Sequence, residues 1–240
     1  MLRLTEMDQL HSFADDRLLV GCIYCTSPTE TRDHVPSRIL LDEPYPENLP
    51  VVPACASCNS SFSLDEEYVA CLIECTRAGS VEAVERPKIR RILQDSSALA
   101  ARLTQARVVD ENGAISFKTE GERVKNVVLK LARGHAAYEL SEQKLDKPSH
   151  IMFVPLHSLR PHARQHFETP PQPTAWPEMG TRAMQRMAVS MTGPSVIGLD
   201  WIDVQPGQYR YFAVAEGAVM VRFVLSECLG CEVIWGEDTA

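Results

Sequence analysis

Four cysteines in two closely spaced pairs are the first residues of this sequence whose types and spacing predict chemistry. Cys22 and Cys25 form one C-x2-C pair, and Cys55 and Cys58 form a second pair after 29 intervening residues. Each spacing lets both sulfurs of a tight turn face one cation, and four thiolates at about 2.3 Å make a closed tetrahedral zinc site. The pattern predicts a structural zinc ion, because four protein ligands leave no open position for a water nucleophile. The alternative is four buried cysteines without a metal.

An acidic residue, a histidine and two asparagines lie between and just after the cysteine pairs. Asp33 and His34 are adjacent, Asn48 precedes Leu49, and Asn59 directly follows the last cysteine of the second pair. An imidazole with an ordinary pKa of about 6.5 accepts a proton at neutral pH, which suits a general base. Carboxylate and amide oxygens suit Mg²⁺ or Mn²⁺, so Asp33 and Asn59 are candidate ligands of a second, catalytic ion. Taken singly, these residues also fit a surface hydrogen bond, a turn and a helix cap.

In this order the residues resemble an HNH endonuclease of the zinc-knuckle type, whose pattern is C-x2-C, D-H-x-x-P, N-L and C-x2-C-N. The residues that carry the resemblance are Cys22, Cys25, Asp33, His34, Asn48, Leu49, Cys55, Cys58 and Asn59. The resemblance covers residues 18–78, about a third of the chain. Two features depart from the pattern: Pro36 comes one residue early, and the lysine often found shortly after the last asparagine is absent.

The resemblance implies a ββα-metal unit, in which two strands carry Asp33-His34 and the Asn48 region and a helix presents Asn59. It implies a hydrolase that cuts DNA phosphodiester bonds, with His34 as the base and with Asp33 and Asn59 holding Mg²⁺ or Mn²⁺. Asn48 would brace the loop and orient the histidine, and the product would carry a 5′-phosphate. One such site nicks one strand, so double-strand cleavage implies a homodimer or a partner protein. A role in bacterial defence is the context that the family suggests.

The rival hypothesis is a non-catalytic zinc-knuckle module that binds a partner protein. The remaining cysteines and a histidine pair carry weaker signals. Cys71 and Cys75 fall on the apolar face of a predicted helix and favour core packing, while Cys228 and Cys231 are treated as structural, with a second metal site as the alternative. His162 and His166 have the i, i+4 spacing of helical metal ligands but lack the glutamate of a zinc protease, so we expect a solvated face.

The elements that must position these residues indicate an α+β protein with three segments. Residues 1–78 form the predicted nuclease module, which is rich in proline and ends in a helix that starts with a capping box at Ser63 and stops at Gly79. Residues 79–150 are predicted as helix, hairpin and helix, with Pro87 in a first turn and Asn112-Gly113 as the hairpin turn. Residues 151–240 are predicted to include a strand at 151–155, a proline-rich loop at 169–177 and two or three antiparallel strands from Tyr209 to Trp235. If Asn59 lies on a helix, either a short turn starts near Cys55 and breaks before Ser63, or the capping box is misassigned.

The charge distribution bears on the predicted DNA partner. The chain has a net charge of −8, and residues 1–78 carry all of it, with 5 Lys+Arg against 13 Asp+Glu. This acidity opposes binding to a phosphate backbone. DNA contacts should therefore come from residues 79–133, where Arg86, Lys88, Arg90 and Arg91 form a basic run, from a partner protein, or from a guide or scaffold that delivers the substrate. The N-terminal residues lack the pattern of a signal peptide and no apolar stretch is long enough to span a membrane, so we expect a cytoplasmic protein.

Overall fold

The structure is a computed structural model that describes residues 11–15, 18–171, 173–192 and 200–236. Most of the N-terminal stretch used to exclude a signal peptide, and one residue of the proline-rich loop, lie outside the described residues. Of the described residues, those up to Ser61 and those from Val128 onward form one compact unit, and Phe62–Val127 form a second. These units are divided at other positions than residues 78 and 150, and the three-segment division stays a prediction. The described part of the chain contains no helix with the length and apolarity needed to cross a bilayer.

Helices and antiparallel strands are both present, so the α+β class is confirmed. In chain order the elements are β1 (Thr31–His34), β2 (Val51–Ala54), α1 (Ala56–Ser61), α2 (Ser63–Ala78), α3 (Pro87–Asp95), α4 (Ser97–Ala106), β3 (Arg107–Val109), β4 (Ile115–Phe117), α5 (Gly121–Leu140), β5 (His150–Pro155), α6 (Pro161–Glu168), α7 (Arg182–Thr192), β6 (Ile202–Gln205), β7 (Tyr209–Glu216), β8 (Ala218–Leu225) and β9 (Leu229–Trp235). Strands β1 and β2 pair antiparallel, with Asp33 opposite Val52 and His34 opposite Val51.

Two consecutive helices follow β2, which decides between the alternatives left open by the sequence. Helix α1 begins just after Cys55 and α2 begins at Ser63, so a short helix does break before the longer one. Ser63 is the first residue of α2 rather than its N-cap, which is Phe62, and the Glu66 N–H donates to Phe62 O at 2.9 Å. At the other end Gly79 adopts φ +81° and donates its N–H to Cys75 O at 2.8 Å, as expected for a glycine that ends a helix.

The second unit contains α2, α3, α4, the β3–β4 hairpin and the start of α5. Pro87 is the first residue of α3, and β3 pairs with β4 across the predicted Asn-Gly turn. Within this unit the Tyr68 hydroxyl accepts a hydrogen bond from the Glu120 N–H at 2.8 Å, and Arg123 forms an ion pair with Asp65 at 2.6 Å. Both contacts fix the start of α5 against α2.

Helix α5 is attached to the C-terminal sheet by buried polar and aromatic contacts. His135 Nε2 lies 2.7 Å from the Tyr209 hydroxyl, and its ring stacks on Tyr211 with 3.7 Å between centroids. One turn further along, Glu139 accepts a hydrogen bond from the Tyr211 hydroxyl at 2.6 Å and pairs with Arg186 of α7 at 3.1 Å. The sheet therefore fixes the part of α5 that begins at Val128.

The sheet has five antiparallel strands in the order β5-β9-β8-β7-β6. The predicted strands from Tyr209 to Trp235 are three, and β7 turns into β8 at Gly217, which has φ +68°. Strand β6 was not predicted. One face of the sheet is covered by a cluster that consists of Leu156, Phe167, Trp201, Phe212, Val214 and Val224.

The sheet also holds the loop between β1 and β2. The backbone N–H of Asp42 donates to Gln205 Oε1 at 2.8 Å, and Gln205 Nε2 donates back to Asp42 O at 2.9 Å. Gln208 Nε2 adds a bond of 2.8 Å to the Asp42 carboxylate. These bonds place the loop that contains Asn48 on the same scaffold as α5.

Candidate functional site

The four predicted cysteine ligands lie together. All four Sγ atoms are within 4.8 Å of one another, and Cys25 Sγ lies 3.7 Å from Cys55 Sγ. A tetrahedron of sulfurs around zinc at about 2.3 Å has an edge of about 3.8 Å, so this spacing fits the ion. The cysteine cluster, as we call these four residues, could therefore hold a metal ion such as zinc.

The first cysteine pair is shaped by a glycine and held by a glutamine. Cys22 N–H donates to Ser27 O at 2.8 Å, which closes the turn around the pair. Gly21 has φ +64°, and a Cβ there would lie 2.6 Å from two carbonyl oxygens of that turn, so a side chain does not fit. Gln143, which follows α5, donates to Cys22 O at 2.9 Å and to Val20 O at 3.3 Å. These hydrogen bonds hold the turn that presents Cys22 and Cys25.

The second pair forms the start of α1. Cys58 N–H points at Cys55 Sγ at 3.3 Å, and Asn59 N–H donates to Cys55 O at 3.0 Å. The Glu30 carboxylate accepts the Ala56 N–H at 2.9 Å, which satisfies an amide at the helix N-terminus. The bond from Cys58 N–H holds Cys55 Sγ, which lies 3.7 Å from Cys25 Sγ of the first pair.

The surroundings of the cysteine cluster act in opposite directions on two of its sulfurs. The Ser27 side chain and backbone, together with Cys58, lower the pKa of Cys25 to about 6 through hydrogen bonds, whereas burial raises the pKa of Cys58. A zinc ion would remove the proton that Cys58 retains. Arg133 of α5 is electrostatically coupled to Cys58, and its Nε atom is buried without a hydrogen-bond acceptor. The positive charge of Arg133 favours a thiolate at Cys58, so the four-cysteine donor set fits zinc.

Asp33 lies in a buried polar group rather than in an open site. Its side chain is 7% exposed, and its Oδ2 accepts a hydrogen bond from the Tyr24 hydroxyl at 2.8 Å. Lys130 Nζ lies 2.9 Å from Oδ2 and 3.1 Å from Oδ1, and it also donates to Ser37 Oγ at 2.8 Å. The Lys130 side chain is 1% exposed. The carboxylate is therefore neutralised by a lysine that sequence reasoning did not assign to the site.

His34, the next residue of β1, is half-buried. Burial and the positive charges of Arg38 and Lys130 lower its pKa from the ordinary value, and the Asp33 charge opposes this only in part. The imidazole is accordingly neutral at pH 7, the form that accepts a proton. Arg38 is exposed and lies over the Tyr45 ring at 5.4 Å.

Asn48 precedes β2 in the chain, and Asn59 follows β2 as part of α1. Asn59 Nδ2 donates to Thr31 Oγ1 at 3.1 Å and to Arg32 O at 3.4 Å, which ties α1 to β1. Because these bonds use the amide nitrogen, the carbonyl oxygen is the end of Asn59 that could bind a cation. Asn48 is half-buried in the turn before Leu49, and its bracing of His34 stays a prediction.

Of the two ligands predicted for a catalytic Mg²⁺ or Mn²⁺ ion, Asn59 is suitable and Asp33 is not. The Asn59 oxygen is suitable, but the Asp33 carboxylate accepts bonds from Tyr24 and Lys130 on the oxygens that a metal would need. Mg²⁺ keeps several bound waters, and a carboxylate this deeply buried offers them little room. As arranged, Asp33 does not fit a divalent ion.

The basic run predicted to contact DNA is engaged within its own unit. The Arg86 side chain lies 3.7 Å from Glu74 and is 9% exposed, and Arg90 Nε donates to Val84 O at 2.9 Å. Arg91 is exposed and lies 3.6 Å from Asp95, while Lys88 is half-buried. A DNA contact from these residues stays a prediction.

The remaining cysteines and histidines behave as expected from the sequence. Burial raises the pKa of Cys71 and of Cys75 to about 12, which makes them inert core thiols. Cys231 is buried in β9. His162 and His166 are exposed on α6, and among the described residues the cysteine cluster is the only group of three or more potential ligands.

Three residues of the site were missed: Lys130, Arg133 and Gln143. Lys130 did carry a signal, because a lysine three residues after Val127 and one before Leu131 lies at the edge of the apolar stripe of α5. A charged residue at such a position needs a buried partner. No signal in the sequence identified that partner.

Comparison with known proteins adds no relative. No family model, curated protein or solved structure matches this chain. The function is therefore argued from the cysteine cluster, the β1–β2 pair and the side chains around them.

Proposed function

We propose that this protein is an HNH-type endonuclease that hydrolyses phosphodiester bonds of DNA, with a structural zinc ion on the cysteine cluster. One observation carries the proposal: His34 is a half-buried imidazole whose pKa is lowered, on a strand held between the two cysteine pairs. A neutral imidazole at pH 7 is the form a general base needs. The succession of β1, β2 and α1, with Asn59 bonded back to β1, supports the resemblance to this family.

In the proposed reaction, His34 accepts a proton from a water molecule as its oxygen forms a bond to phosphorus. The bond from phosphorus to the 3′ oxygen breaks, and the leaving oxygen takes up a proton from solvent or from the imidazolium. The products are a 3′-hydroxyl and, as the resemblance implies, a 5′-phosphate. The positive charge of Arg38, which acts on His34, also favours the negative charge that develops on the phosphoryl oxygens.

The metal ions have separate roles in the proposal. Zinc holds the two cysteine pairs together and takes no part in the reaction, since four cysteines fill its coordination sphere. The resemblance adds a Mg²⁺ or Mn²⁺ ion held by Asp33 and Asn59. Because Asp33 as arranged does not fit that ion, no step of the reaction is assigned to it.

The acidity of the N-terminal region is partly offset where it matters for DNA. Arg32 and Arg38 are exposed beside His34 in the chain, so the immediate surroundings of the base carry positive charge. Additional contacts with the DNA backbone would come from residues 79–133. A double-strand cut would also require a homodimer or a partner protein. We further propose that the protein acts in the cytoplasm, in defence against invading DNA.

A non-catalytic zinc-knuckle module that binds a partner protein is the second candidate. It is favoured by the ion pair between Asp33 and Lys130, which gives the acidic residue of the motif a structural role. Under this hypothesis His34 and Asn59 are polar residues without a reaction. Cleavage activity that depends on His34 separates the two hypotheses.

The test is plasmid nicking by the purified full-length protein, with and without Mg²⁺ or Mn²⁺. His34→Ala should reduce the nicking rate by about 100-fold or more, the usual contribution of a general base, while zinc content stays unchanged. His162→Ala, which alters an exposed histidine of α6, is the matched control and should cleave at the wild-type rate. Wild-type protein that cleaves neither DNA nor RNA, or His34→Ala that cleaves normally, would refute the nuclease proposal.

A further inference from the structure

The cation next to the Asp33 carboxylate is the ammonium group of Lys130. In the HNH endonucleases that the sequence resembles, the acidic residue before the histidine holds a divalent ion. In this chain both oxygens of that carboxylate lie within 3.1 Å of Lys130 Nζ. The ammonium group is thus in the position that a metal bound to Asp33 would have to share.

The bonds around Lys130 account for its three N–H donors. It lies 2.9 Å and 3.1 Å from the two carboxylate oxygens and 2.8 Å from Ser37 Oγ. The Tyr24 hydroxyl then takes a further lone pair of Oδ2. A carboxylate and an ammonium group that are this buried are stable only when they are paired and hydrogen-bonded, and each of them is.

The scaffold holds Lys130 where it is. Helix α5 is fixed to the sheet through His135 and Glu139, which follow Lys130 in the same helix. Gly134 of the same helix packs directly on Val35, since a Cβ there would lie 2.5 Å from a Val35 methyl group. The helix that carries Lys130 is therefore held in place, and the Lys130 side chain is 1% exposed.

We infer that Lys130 is the resident cation of Asp33 and replaces the divalent ion expected there. Asp33 therefore anchors β1, the strand that carries His34, and binds no metal. The consequence for catalysis rests on the proposed function, but the ion pair itself does not. Lys130 and Asp33 are positioning residues for His34, because neither side chain is exposed to a substrate. Repulsion between the ammonium group and a divalent cation opposes metal binding at this carboxylate.

The experiment is a Mn²⁺ titration of the zinc-loaded full-length protein, followed by electron paramagnetic resonance. The wild type should show no Mn²⁺ site that depends on Asp33. Lys130→Met removes the charge but keeps an unbranched side chain, and it should gain a site with at least about tenfold tighter binding, because the carboxylate then lacks a cation. Asp33→Asn in the Lys130→Met background should abolish the gained site.

A measurement on the wild type alone keeps the test decisive if the variants do not fold. Bound Mn²⁺ broadens the amide NMR signals of nearby residues, so the signals of Thr31–His34 should stay sharp when Mn²⁺ is added. Selective broadening of those signals, or a wild-type site that Asp33→Asn weakens about tenfold or more, would overturn the inference. Nicking by the wild type is scored separately: cleavage lost in His34→Ala upholds the nuclease whatever the Mn²⁺ result, and absent cleavage refutes it without touching the ion pair.

Discussion

Replacing Gly134 with alanine should destabilise the protein, although alanine is the better helix former. A Cβ at this position would lie 2.5 Å and 2.8 Å from the two methyl groups of Val35. Ordinary contacts between carbon atoms are about 3.5–4.0 Å, so each overlap is roughly 1 Å. Val35 is fully buried and β-branched, and because both methyl groups are too close, turning the side chain does not relieve the clash.

The expected size follows from two opposing contributions. Overpacking a well-packed core costs about 1–3 kcal/mol, and a double overlap with a stiff side chain favours the upper end. Alanine in place of glycine inside a helix returns about 1 kcal/mol. The net loss in the free energy of unfolding should therefore be about 2 kcal/mol, measured by urea denaturation followed by circular dichroism.

Two further variants make this prediction sharp. Gly121→Ala, at the start of the same helix, places its Cβ where no heavy atom lies within 4 Å, and its stability should be equal to or up to about 1 kcal/mol above the wild type. Val35→Ala combined with Gly134→Ala should be more stable than the sum of the single losses, by roughly 0.5–3 kcal/mol. If Gly134→Ala is as stable as Gly121→Ala, the close packing of α5 on Val35 is not present in solution.

Two predictions concern other groups on α5. Burial lowers the pKa of His135 well below the ordinary value. Below about pH 6.5 the unfolded chain therefore binds a proton that the native state does not. The free energy of unfolding should then fall as the pH decreases, by up to about 1.4 kcal/mol per pH unit. His135→Phe, which cannot titrate, should show a shallower decline between pH 7.5 and 5.5 in denaturant titrations, and an equal slope in both proteins would contradict the assignment. Arg133→Met should weaken zinc binding about tenfold in competition with a chelator, because it removes a positive charge that interacts with Cys58. Lys125→Met, on an exposed part of the same helix, should bind zinc like the wild type.

Local patterns predicted a large part of the fold. The C-x2-C spacing predicted which cysteines meet, because each pair is confined to one tight turn and the two turns lie at the same end of the β1–β2 pair. The Asn112-Gly113 hairpin, the stop of α2 at Gly79 and Pro87 at the start of α3 each depend on the backbone preferences of one or two residues. Such preferences can be recognised without knowing the rest of the molecule.

The environment of Asp33 could not be predicted in the same way. Its partner Lys130 is 97 residues away, on a helix whose position depends on the sheet formed by the C-terminal part of the chain. Alternation along a strand sets adjacent side chains on opposite faces, but the sequence did not show which face α5 covers. The expectation that Asp33 and His34 would act together on an open metal site therefore came from residue types and from the resemblance, neither of which identifies a distant partner.

The zinc content of the purified protein tests most directly whether one cation organises the strand pair that carries His34. The account predicts about one zinc ion per chain by elemental analysis, lost together with the native circular dichroism spectrum when Cys58 is replaced by serine. Cys71→Ser, which alters a core thiol outside the cluster, should keep the zinc. A wild-type protein that folds without zinc, or a Cys58→Ser variant that retains a full equivalent, would contradict it.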